Sequence, residues 1–198
     1  MAGGSLSTTI DTIRSGVIDI NLDYSSIIKA SGFLQQAPDK IQKAISPAIN
    51  RALEHFKTIE LRETAKKYYV KQKDFKGSIF LKWSSGGLMD ATLVARGHRQ
   101  PITKFAVSPK KNPVKQGSFR GAVKRAGGLK PIPPAFLAPF RGDVRAFIND
   151  GGRWRMLMSP SVPQMMKNKE TVAEAEKSSR EVFVRRLEHE LKRVGALP

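Results

Sequence analysis

Between Ala91 and Gly142 the chain places eleven basic side chains and no acidic one. They are Arg96, Arg99, Lys104, Lys110, Lys111, Lys115, Arg120, Lys124, Arg125, Lys130 and Arg141. Guanidinium and ammonium groups do one kind of chemistry at this density: they hold phosphate or carboxylate oxygens. A field of one sign repels itself unless something negative sits close by. The run from Arg96 to Lys130 is therefore the candidate contact set for a polyanion, an acidic protein surface, or both. No base-reading helix or RNA-binding aromatic motif accompanies it, so any nucleic-acid contact is expected to ignore sequence.

Catalytic chemistry has much less to stand on. His189-Glu190 resembles the start of a zinc-binding helix motif, but Arg193 stands where the second histidine belongs. A solvated helix face explains the pair better. Metal-dependent nucleases gather carboxylates on strands, and here the strand-rich region offers only Asp90, Asp143 and Asp150. There is no P-loop, no dinucleotide-binding glycine motif and no nucleophile elbow. There is no cysteine, hence no disulfide or thiolate chemistry. The expectation is a non-enzyme without metal or cofactor. Trp83 and Trp154 either stack on bases beside the basic groups or, as strand tryptophans more often do, belong to the core or an interface. Met156, Met158, Met165 and Met166 form either an adaptable contact surface or core filling.

The elements that must position these groups can be read from pattern. Residues 1–15 are small and polar and are expected to be a mobile arm. Ile18, Ile20, Leu22 and Tyr24 alternate with polar residues, which predicts a strand at 17–23. Ser25 to Gln36 is ambiguous, with room for a short helix. From Pro38 to about Tyr69 the positions Ile41, Ile45, Ala48, Ala52, Leu53, Phe56 and Ile59 mark one helical face, with Pro47 expected to kink or restart it. Short strands are expected at Ser78–Trp83, Leu88–Arg96, Ile102–Val107, Phe119–Lys124, Val144–Asn149 and Trp154–Met158. Asp150-Gly151-Gly152 reads as a hairpin turn, and residues 109–118 as an exposed basic loop. The last helix is expected at 171–194. Thr171 and Glu174 form a capping box, and Phe183, Leu187, Leu191 and Val194 form an apolar stripe.

The chain has 198 residues and a formal net charge of +18. Residues 77–160 hold 15 basic and 3 acidic groups, whereas residues 1–36 hold 2 and 3. The length suits one domain, with a sizeable core feasible. The start, Met1-Ala-Gly-Gly-Ser-Leu-Ser, has neither the basic nor the apolar region of a signal peptide. No window approaches the ~20 apolar residues of a membrane span. A soluble cytoplasmic protein with no membrane contact is expected. The fold class expected is α+β: a mostly antiparallel sheet packed against the long helix of the N-terminal half, with a long C-terminal helix. Residues 1–36 form an N-terminal arm with one strand, and residues 37–198 a single domain.

Two segments together resemble a known family. One is Ala48-Ile-Asn-Arg-Ala-Leu-Glu-His55, running on to Tyr68-Tyr-Val-Lys-Gln-Lys-Asp-Phe75. The other is Met158-Ser-Pro-Ser-Val-Pro-Gln-Met-Met166, followed by Arg186-Leu-Glu-His-Glu-Leu191. Their order and spacing, over about residues 40–194, are similar to the minor tail protein Z family of tailed bacteriophages and prophages, also called tail-completion proteins. Ser159 stands where that motif has glycine. The resemblance implies structural work: completing the head-proximal end of the tail and helping to connect tail to head, as a homo-oligomer of six copies around the DNA channel. It implies tail terminator or tube and head-tail connector proteins as partners, non-specific contact with phage DNA, and a place in the virion after assembly in the host cytoplasm. On that reading the basic residues from Arg96 to Lys130 face the channel or acidic partners. Pro160, Val162, Pro163, Met165, Met166, Phe183, Leu187 and Leu191 are then candidate contacts with other subunits or tail proteins. Two other classes compete: a stand-alone, sequence-independent DNA-binding protein, and a metal-dependent nuclease.

Overall fold

The computed structural model describes residues 6–14, 17–30, 38–75, 77–86, 88–110 and 118–197. Within them the protein is α+β, with antiparallel sheets and two long helices. The first sheet has the order β1-β2-β4-β3, built from β1 (Ser7–Arg14), β2 (Val17–Asp23), β3 (Ile79–Lys82) and β4 (Asp90–Arg96). Alternation does the work predicted for β2. Ile18, Ile20 and Leu22 face inward and are buried, while Asp19, Asn21 and Asp23 face out.

The arm expected at residues 1–15 is corrected here. Residues 7–14 form a strand whose β-branched Thr8, Thr9 and Ile10 suit a sheet, and they pair antiparallel with β2. Because β2 lies between β1 and β4, a boundary at residue 36 would cut through one continuous sheet. A short helix, α1 (Ser25–Ala30), follows, with Ser25 held by the Asp23 carboxylate.

The long helix α2 (Pro38–Lys67) passes through Pro47 as one element. Two adjacent rows of small and large apolar residues, Ala44, Ala48 and Ala52 beside Ile45, Ile49, Leu53 and Phe56, are buried along it. One row would bury a single face; two let α2 contact β4 on one side and the C-terminal helix along its length. That last helix, α4, spans Lys169–Arg193 and starts earlier than the sequence pattern suggests. Its N-cap is Asn168, whose side chain accepts from the Glu170 amide at 3.0 Å. Thr171 is not the cap, because its hydroxyl is used on Glu60 of α2.

The remaining strands are not part of the first sheet. β5 (Ala106–Ser108), β6 (Arg120–Ala122) and β7 (Lys130–Pro131) form one small sheet, and β8 (Ala135–Phe140), β9 (Asp143–Asp150) and β10 (Arg153–Met156) form a meander. The Gly151-Gly152 turn between β9 and β10 has both φ angles positive, 59° and 83°, as a type I′ hairpin requires. Pro139 sits in β8, which is an edge strand and tolerates the missing N–H. Ile102, Val107, Phe119, Ala135, Leu137 and Ala146 make a small second core beneath these strands, and Val123 touches both cores.

Candidate anion-binding cleft

The end of α2 and two chain crossings build a basic concave surface. Tyr69 N bonds Val123 O at 2.8 Å and Arg125 N bonds Lys67 O at 2.8 Å, which fastens residues 123–125 to the helix end. Ser159 N bonds Gln100 O at 2.7 Å and Ile102 N bonds Leu157 O at 3.0 Å, which fastens the chain after β4 to the chain after β10. Between these seams lies a cleft of about 540 Å³ lined by Tyr68, Arg99, Val123, Lys124, Met158, Ser159, Pro160 and Gln164. A second hollow of about 470 Å³ takes Gln100 and Lys104 into its wall together with Lys71, Lys73 and Asp74. Gln100 follows Arg99 directly, and its Oε1 accepts from Lys104 Nζ at 2.9 Å.

Of the ten predicted basic residues, the structure brings Arg99 and Lys124 into one cleft and Lys104 into the adjoining one. Arg96 is apart, on the outer face of the first sheet with its guanidinium 5.5 Å from the Phe80 ring centre. Lys110, Arg120 and Lys130 are exposed along the small sheet and its loop. Lys111 and Lys115 lie outside the described residues. Arg125 is used structurally. Its Nε donates to Ala65 O at 3.1 Å and Tyr68 O at 3.2 Å, and its guanidinium lies 4.8 Å over the Tyr69 ring. It thus satisfies carbonyls at the negative end of α2. Sequence reasoning missed Lys71 and Lys73; their signal was the excess of basic over acidic residues at 37–76.

Among the described residues, none of Arg96, Arg99, Lys104, Lys110, Arg120, Lys124, Arg125 and Lys130 takes part in an ion pair. All eight are exposed. Several acids are engaged elsewhere: Glu63 with Arg62 and Lys66, Glu170 with Lys67, and buried Glu190 with Arg186 and Arg193.

The predicted interface set is largely corrected. Val162, Pro163, Met165 and Met166 form a short helix, α3 (Val162–Met166), whose side chains are buried, three of them in the main core. Phe183, Leu187 and Leu191 are at most 3% exposed in the same core. An apolar stripe packs equally well on its own chain, and here α2 covers it. Only Pro160 stays at the surface, at the wall of the basic cleft. The tryptophans go the other way: Trp83 and Trp154 are 50% and 67% exposed.

The aspartates considered for a nuclease are spread out. Asp90 is on the first sheet, and Asp143 and Asp150 are at opposite ends of β9. His55 Nε2 lies 2.8 Å from Ser178 Oγ. Burial, then Arg51, Arg62 and Arg185, hold its pKa below the usual imidazole range against the opposing pull of Glu181. No helix among the described residues is long and apolar enough to cross a membrane. Compared with protein-family models, curated proteins and solved structures, the chain matches none of them.

Proposed function

We propose that this chain is a structural subunit of the phage neck or upper tail, assembling as a ring that borders the DNA channel and meets acidic neighbours. One observation carries the anion-binding part: eight exposed basic groups, three of them around adjoining hollows, have no carboxylate partner among the described residues. With +18 on each copy, such groups are tolerable in an assembly only against polyanions or acidic surfaces. The setting, a tail-completion protein, rests on the resemblance of residues 40–194.

The same basic surface also suits a stand-alone protein that coats DNA without regard to sequence. Light scattering and negative-stain images separate the two readings. Rings, or co-purification with tail tubes, support the first; a monomer that saturates duplex DNA stoichiometrically replaces it with the second. Duplex affinity itself should fall with salt by about 0.9 log units per log unit for each phosphate neutralised. The absence of binding at low salt removes DNA from the proposal and leaves acidic proteins as the partners.

A further inference from the structure

We infer that neighbouring copies dock through two unlike faces: the aromatic face of the β8–β9–β10 meander in one copy, and the aspartate-bearing outer face of the first sheet in the next. The inference rests on the ring-subunit reading and names the contact that would close the ring.

The register aligns the first face. Phe136 stands opposite Phe147, and Trp154 opposite Asn149. Four residues along β8, Phe140 points to the same side, since side chains alternate along a strand. The Phe136 and Trp154 ring centres are 5.2 Å apart, those of Phe140 and Phe147 5.8 Å. Phe147 is buried beneath its neighbours, whereas Trp154 is 67% and Phe140 41% exposed. The Arg141 guanidinium lies 5.4 Å over Phe140. Among the described residues Arg141 joins no ion pair. Exposed tryptophan and arginine around a desolvated aromatic centre are the composition of a binding hot spot.

The second face is acid-rich in a strongly basic chain: it carries Asp11, Asp19, Asp23 and Asp90 against Lys82 and Arg96. Asp11 pairs across strands with Asp19, and Asp23 with Asp90. Like charges directly opposite each other weaken a sheet. Of these four, Asp19 alone has a cation among the described residues, Lys82 at 3.1 Å. Asp11, Asp23 and Asp90 join no ion pair among the described residues. Phe80, 48% exposed, supplies an apolar edge to this polar face. Two copies at +18 repel each other, so a stable contact gains by setting these carboxylates against the Arg141 guanidinium. The two faces differ, so the contact is heterologous and each copy keeps one of each free, which is what ring growth needs.

The test uses the full chain and two variants at exposed or half-exposed positions. One carries Arg141→Glu with Trp154→Ala, the other Asp11→Lys with Asp90→Lys. Mass is read by light scattering over a range of concentrations, and folding by thermal melts. The wild type should oligomerise. Each variant alone should dissociate at least about thirtyfold more readily, as for loss of an anchor residue, with its monomer still folded. Mixing the two should give a dimer and nothing larger, because each contributes one intact face. Rings that persist in either variant, or a mixture that stays monomeric, overturn this contact while leaving the ring reading standing. A wild type that is monomeric at every concentration overturns both. A meander variant that oligomerises normally but loses affinity for oligo(dT) makes the aromatic face a base-stacking surface and overturns the inference as well.

Discussion

Thr171 donates its hydroxyl proton to Glu60 Oε1 at 3.0 Å, joining the first turn of α4 to the C-terminal third of α2. Thr64 donates to the same oxygen from within α2, also at 3.0 Å. The second oxygen, Oε2, is buried with no hydrogen-bond partner among the described residues. Burial dominates and pushes the Glu60 carboxyl up to about 8; the two threonine bonds oppose it without cancelling it. The carboxyl is therefore protonated in the folded chain at neutral pH.

This shift fixes the sign of a pH effect. The folded pKa lies above the ordinary carboxyl value of 4.5. The stability that Glu60 contributes is fully present below that ordinary value and is lost as pH rises through about 8. Glu60→Gln should remove this dependence. At pH 9 the variant should be more stable than the wild type by a few kcal/mol, at about 1.4 kcal/mol per pKa unit. At pH 4 the advantage should vanish. Thermal melts of both proteins at the two pH values check it, and an equal difference at both counts against a buried, neutral carboxyl.

Phe183 lies 4.3 Å, ring centre to ring centre, from Tyr24 in the main core. Phe183→Ala should cost about 3–5 kcal/mol, a fall in melting temperature on the order of 10 °C for a chain of this size. The loss should be seen in the monomer. If the monomer melts unchanged and only the oligomer weakens, Phe183 belongs to an interface after all.

Arg125 and Lys124 are adjacent but should behave differently. Arg125→Met removes two bonds to the carbonyl end of α2 and should lower stability by about 1 kcal/mol. Lys124→Ala paired with Arg99→Ala should leave the melting curve in place and reduce the salt slope of duplex DNA binding by about 2. Melts and binding isotherms at several salt concentrations read both effects.

Gly121 sits where a Cβ would lie 3.1 Å from Ile102 Cδ1 and 3.4 Å from Ile132 Cδ1. Gly121→Val should overpack the small core and cost about 1–3 kcal/mol. Circular dichroism should show the strand signal melting early while the helical signal holds.

The parts of this fold that repeat a period were legible in the sequence. Ile18, Ile20 and Leu22 marked β2, the apolar rows between Ala44 and Phe56 marked α2, and Asp150-Gly151-Gly152 marked a hairpin. Elements without a period were not. Strand β8 carries Pro139 and follows Pro133-Pro134, so breakers hid it until its edge position explained them. Helix α3 is five residues long, too short to show which side it buries. Apolar residues mark burial without saying against what, which is why Met165, Met166 and Leu187 looked like interface and proved to be core. The excess of basic groups was plain from composition. That Arg99 and Lys124 share a cleft depends on the pairings Tyr68↔Lys124 and Pro101↔Met158, which join residues far apart in the chain.

The two cores are unequal, and the smaller one supports β5 to β10 with few large side chains. Cooperative units open with free energies set by what they bury. Backbone amides of the meander should therefore exchange with deuterium through a partial opening that leaves the α2–α4 pair closed. The surface best furnished with aromatic rings is thus carried by the less tenacious half of the molecule, and whatever seats itself there would slow that exchange without tightening the helices.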